Sequence, residues 1–115
     1  MVLPLTKEML ASCYAYLATC EPFLKWNLPD SEDVTFKVSK SKSHFAQYIW
    51  DGTHCIEVSS ACVGYTSTLM ETMAHEIIHL HLRLTGMESR STNPAFRKLA
   101  ARVCGYHGFD PKGFW

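Results

Sequence analysis

Residues 71–82 read Glu71-Thr72-Met73-Ala74-His75-Glu76-Ile77-Ile78-His79-Leu80-His81-Leu82. With Leu69, Met70 and Leu84 on either side, the apolar residues of this stretch cover most of the circumference of a helix. A helix that is apolar nearly all round must be enclosed by the rest of the protein, so its neighbours decide the fold. Thr68 and Glu71 match the S/T-x-x-E capping box, which predicts a start near Thr68. Gly86 is placed to end the helix.

Polar groups inside such a helix cost free energy unless they are paired. His75 and His79 are four residues apart, which puts them about 40° apart around the axis and one turn on. Both imidazoles can then meet one cation. His75-Glu76-Ile77-Ile78-His79 is an H-E-x-x-H sequence, in which two histidines ligate zinc and the glutamate is the general base for a water acidified by the ion. The bland alternative is a chance motif on an exposed helix, and the apolar surroundings argue against it. His81, two residues beyond His79, falls on nearly the opposite side and is expected to be an ordinary core or surface histidine. Catalytic zinc takes three protein ligands and structural zinc four, so a further ligand must come from elsewhere. Glu88, in the loop after Gly86, is a chemically suitable candidate. His107 qualifies only if its helix runs the right way, and His44 and His54 fall in strand-like sequence.

Towards the N-terminus the hydrophobic period is two. Val34, Phe36 and Val38 alternate with Thr35, Lys37 and Ser39, the pattern of a half-buried strand. Residues 40–43 read as a polar turn and 45–50 as a second strand. Asp51-Gly52 is a strong hairpin signal, and 53–59 is the return strand. The expectation is a three-stranded antiparallel meander with 53–59 available as an edge. Before it, Thr6 caps a helix carrying Met9, Leu10, Cys13, Leu17 and Cys20, with Pro22 marking its end. Towards the C-terminus, Asn93-Pro94 opens a helix with Phe96, Leu99, Ala100 and Val103 as its stripe and Gly105 as its expected stop. The tail from Gly108 onward, rich in glycine and aromatics, is expected to fold back onto the core.

The 115 residues suit one α+β domain spanning 1–115. Eleven Lys and Arg balance eleven Asp and Glu, so no global charge draws the chain to nucleic acid or anionic membrane. The five cysteines Cys13, Cys20, Cys55, Cys62 and Cys104 contain no CxxC pair, which excludes a Cys-rich zinc ribbon and suggests reduced thiols. Met1-Val2-Leu3-Pro4-Leu5 lacks the features of a signal peptide, and no apolar run reaches membrane-spanning length. A cytoplasmic protein without membrane contact is the expectation.

The order of elements resembles that of the SprT-like (SprT/Spartan-type) family of zinc metallopeptidases. Residues 71–79 look like the family's metal helix. Asn93-Pro94-Ala95-Phe96-Arg97-Lys98-Leu99 looks like its downstream segment, and Gly108-Phe109-Asp110-Pro111-Lys112-Gly113-Phe114 is similar to the tail of short phage and bacterial members. The resemblance implies a minimal zincin-like fold, a Zn2+ cofactor, a protein or peptide substrate and hydrolysis of peptide bonds. In the family a third histidine precedes the downstream helix in a His-Gly-x-x-Phe pattern. Anchored on Phe96, that position is Thr92 here. The third ligand is then left to Glu88, to another group of 87–92, or to water. Family members cut proteins crosslinked to DNA, which implies action on DNA-associated proteins. The basic residues available for contact with nucleic acid are Lys37, Lys40 and Lys42, and Arg97, Lys98 and Arg102. The alternative reading is a degenerate, non-catalytic binding module with a weak or structural metal, which the threonine favours and the retained Glu76 opposes.

Overall fold

The computed structural model describes residues 5–63, 65–86, 93–110 and 114. The Thr6 hydroxyl accepts a hydrogen bond from the Met9 amide at 3.1 Å and starts helix α1, Lys7–Ala18. Leu10, Tyr14 and Leu17 form its buried face. Short 3-10 turns follow at Phe23–Trp26 and Ser31–Asp33. The Tyr14 hydroxyl donates to the Pro29 carbonyl at 2.7 Å, which ties this connection to α1.

Three strands follow: β1 (Val34–Ser39), β2 (Ala46–Trp50) and β3 (His54–Ser59). The β2–β3 hairpin is antiparallel, with Trp50 opposite His54 and Ala46 opposite Val58, and Gly52 takes a φ of 101° in its turn. The expected meander is not formed. The sheet order is β1-β3-β2, and β1 pairs with β3 in parallel, Val34 opposite His54 and Ser39 opposite Ser59. The strand read as an edge is therefore the central one.

Burial supplies the reason. Both faces of β3 are covered, with Cys55, Ile56, Val58 and Ser59 buried, whereas β1 and β2 each keep exposed positions. The best-covered strand takes the position with hydrogen-bonded neighbours on both sides. Residues 40–45 must then step across two strand spacings, roughly 10 Å. This step is held down from β3's end: the Ser59 amide donates to Phe45 O at 2.7 Å, the Ser60 amide to Ser39 O at 2.9 Å, and the Ser59 hydroxyl to Ser41 O.

Helix α2, Thr66–Leu84, packs against α1, α3 and the sheet. It begins two residues earlier than the capping box implied. Tyr65 holds the extended N-cap position and gives no side-chain cap, so Thr68 lies inside the helix. Gly86, at φ 76°, ends it as expected, with its amide bonded to Arg83 O at 3.1 Å. No described helix is long and apolar enough to cross a membrane.

Helix α3, Pro94–His107, opens on Asn93, whose side chain accepts from the Ala95 amide at 2.9 Å. It runs through Gly105 and stops at Gly108, at φ 74°, with the Gly108 amide donating to Cys104 O at 2.8 Å. Both glycines could have been the stop. Only Gly108 adopts the left-handed conformation that ends a helix. Phe96, Ala100, Val103 and Cys104 are its buried face.

Candidate metal centre

α2 turns one face away from the core. Thr68, Glu71, Thr72, His75 and Glu76 line a cavity of about 310 Å³, closed on its far side by Phe45, Ala46 and Phe114. His75, on the cavity wall, meets His79 one turn further along α2. Their Nε2 atoms are 3.1 Å apart, and one ligand atom from each of His75, Glu76 and His79 lies within 4.8 Å of the others. Two imidazole nitrogens on one tetrahedral zinc, each at about 2.0–2.1 Å, would stand about 3.4 Å apart. The observed separation is close to that bite.

Both rings are held by aromatic contacts. Phe96 from α3 packs on His75 and His79 with centroids at 4.9 and 4.6 Å. Phe114 packs on His75 at 5.6 Å, and its carbonyl meets His75 Nδ1 at 2.9 Å. A carbonyl only accepts, so Nδ1 carries the hydrogen and Nε2 is an acceptor turned towards His79 Nε2. Burial, helped by His79 and opposed by the Phe114 carbonyl, lowers the His75 pKa to about 4, so the ring is neutral at physiological pH.

Glu76 is only 4 % exposed. Burial raises its pKa from 4.5 to about 8, and its Oε1 has no hydrogen-bond partner. A buried carboxyl oxygen left without a partner beside two imidazole rings is an unfavourable arrangement that a cation would resolve. The donor set fits zinc: neutral imidazoles and a carboxylate are its usual nitrogen and oxygen ligand types.

The other histidines are engaged elsewhere. His81 stacks on Trp26, centroids 4.4 Å apart, away from the cavity, although its buried Nδ1 finds no hydrogen-bond partner. His107 Nε2 bonds to Glu21 O at 2.9 Å, so α3 runs the wrong way for it to ligate. His54 Nδ1 meets the Tyr48 hydroxyl at 2.6 Å, and His44 sits among the Ser41 and Ser43 hydroxyls. All five cysteines are free thiols, Cys13, Cys55 and Cys104 buried, and none joins the cluster. Glu88 and Thr92 lie outside the described residues. Among the described residues His75, Glu76 and His79 form the whole metal-binding group.

Sequence reasoning missed Phe45, Ala46, Thr68, Glu71, Thr72 and Phe114. A signal existed for three of them. Thr68, Glu71, Thr72, His75 and His79 recur at three- and four-residue spacing, a polar stripe on an otherwise apolar helix. Phe45 and Phe114 arrive only through tertiary folding.

A helix, a small sheet and a helix whose H-E-x-x-H side chains could hold a metal, packed against a following helix, define a minimal zincin-like domain. The model of the SprT-like family matches residues 14–112, nearly the whole chain, and the chain belongs to that family. Membership makes it a metallopeptidase-like domain. No curated protein and no solved structure matches the chain.

Proposed function

We propose that this chain is a zinc-dependent endopeptidase. The observation that carries the reading is the 3.1 Å approach of two imidazole nitrogens beside the buried Glu76 carboxyl, where His75 and Glu76 line a cavity of about 310 Å³. His75 and His79 hold the ion. Bound there, the dication supplies Lewis acidity towards a peptide carbonyl, acidifies water, and keeps Glu76 ionised.

Glu76 accepts a proton from the attacking water and returns it to the departing amine nitrogen. Its enclosure excludes bulk water, so the proton it takes stays in the site. An extended substrate fits the sheet by strand addition. The strand available for this beside the cavity is β2, an edge strand, whereas β3 is paired on both sides. Phe45, immediately before β2, is 54 % exposed and lines the cavity, an apolar contact for a side chain near the scissile bond.

DNA-associated proteins are the proposed substrate class, from family membership, with Lys37, Lys40 and Lys42 as an exposed basic set. The five free thiols support a reducing, cytoplasmic setting. A second reading, a non-catalytic module with a structural or weakly held metal, is favoured by one fact: only two imidazoles converge among the described residues.

Cleavage of a labelled unfolded protein by zinc-loaded wild type and Glu76→Gln separates the two. An enzyme loses roughly 10²–10⁴-fold in rate on this change while retaining zinc. Wild type that binds zinc and cuts nothing, with or without DNA, leaves the binding module.

A further inference from the structure

We propose that the main-chain carbonyl of Phe114 is a positioning group for His75, fixing which ring nitrogen faces the metal. The inference rests on the reading of His75 as a ligand and goes beyond it, because Phe114 lies outside the segment that matches the family, 14–112.

An imidazole can bind a metal through either nitrogen, and the hydrogen bond made by the other nitrogen decides which. His75 Nδ1 donates to Phe114 O at 2.9 Å, and His75 Nε2 is thereby turned onto His79 Nε2 at 3.1 Å. Without the acceptor, the ring is free to carry its proton on Nε2, where a metal cannot bind.

The carbonyl is well anchored. Phe114 is 6 % exposed, its ring stacks on Phe109 at 5.8 Å and 15°, and Phe109 stacks on His107 at 5.5 Å and 15°. His107 in turn bonds to the Glu21 carbonyl through Nε2. A row of three rings thus links the end of α3 to the His75 acceptor. The Phe114 side chain is the handle by which a main-chain atom can be moved experimentally.

The test uses the full chain with Phe114→Ala, Phe114→Leu and, as a control for general loosening, Val103→Ala in the core. The first readout is the tautomer of His75 in the metal-free protein, from ring nitrogen chemical shifts. Wild type is expected to hold the hydrogen on Nδ1, Phe114→Ala to show a mixture, and Phe114→Leu to stay near wild type. The second is zinc affinity by chelator competition, expected to fall about 10–100-fold for Phe114→Ala, the usual cost of removing an outer partner of a ligand. Val103→Ala is expected to bind zinc as wild type does. Hydrogen on Nε2 in wild type overturns the proposal, as does a zinc affinity that is unchanged in Phe114→Ala or falls equally in Val103→Ala. If Phe114→Ala does not fold, Phe114→Leu and the wild-type tautomer still decide it. Should wild type bind no zinc, the metallopeptidase reading fails, while the tautomer of the metal-free protein still judges this contact.

Discussion

Two histidine clusters in this molecule, one on β3 and one on α2, differ in chemistry. On β3, His54 Nδ1 meets the Tyr48 hydroxyl at 2.6 Å, its ring packs on Trp50 at 4.7 Å, and Arg83 lies over the same Trp50 ring at 5.3 Å. There a donor faces an acceptor and a guanidinium faces a ring, so the set satisfies itself and a cation would be repelled by Arg83. On α2, two Nε2 atoms face each other beside an unpartnered carboxyl oxygen. There the Glu76 carboxyl oxygen is the group left over, and a cation would satisfy it. Burial lowers the pKa of both His54 and His75, so a depressed histidine pKa does not distinguish a ligand from a packed ring. What distinguishes them is the buried carboxyl oxygen left without a partner beside the two rings of α2.

The largest break in this contrast is removal of a converging ring. His75→Ala or His79→Ala should lower zinc affinity by more than the ~10–100-fold cost of losing an outer partner. His54→Ala should leave zinc stoichiometry at the wild-type value, measured on dialysed protein by atomic emission. Zinc lost equally from all three would mean that the two clusters are equivalent.

Chelation comes next. Zinc at a thousand times its dissociation constant adds about 4 kcal/mol to the folded state, so thermal unfolding with a chelator should occur more than about 10 °C lower. His79→Ala should show no such difference, and His54→Ala should show all of it.

A smaller effect appears in the metal-free protein as pH changes. Glu76 in the folded chain keeps its proton up to about 8, against 4.5 ordinarily, so the native state binds the extra proton between those values. Stability therefore falls as pH rises from 4.5 through 8 and is level above it. Glu76→Gln should remove this slope in urea unfolding. His75 acts on the other side: its folded value of about 4 lies below 6.5, so stability is also lost as pH falls from 6.5 through 4. His75→Ala should flatten that limb.

The smallest effect belongs to the self-satisfied pair. Tyr48→Phe deletes the hydroxyl bonded to His54 and should cost about 1 kcal/mol in urea unfolding, with zinc affinity unaltered.

How much of this was legible follows from the range of the forces involved. His75, Glu76 and His79 could be placed together from spacing alone, because one helical turn fixes their relation. Thr6 and Asn93 could be read as caps because a cap involves only the next few amides. The order of the strands could not be read. Alternation in residues 34–38 reports which side chains are buried and says nothing about which strand lies alongside, and a polar stretch at 40–45 serves a tight turn or a crossover equally. Thr68 and Glu71 satisfied the pattern of a cap, but the helix starts at Thr66 and the same residues line the cavity instead. Gly105 and Gly108 were equivalent as letters, and only backbone conformation separates them. Phe114 comes to His75 across 39 positions, a separation over which no local pattern acts.

The central place of β3 also sets an order of assembly. Its partner β2 is joined to it by a tight turn, whereas β1 reaches it only through a much longer closed loop, and loop-closure entropy grows with every doubling of length by about 0.6 kcal/mol. We expect the hairpin to form first and to present a ready template onto which β1 docks late. In native-state hydrogen exchange, β1 amides should then open at lower free energy than those shared between β2 and β3. Equal protection of the two ladders would show that all three strands come together in a single step.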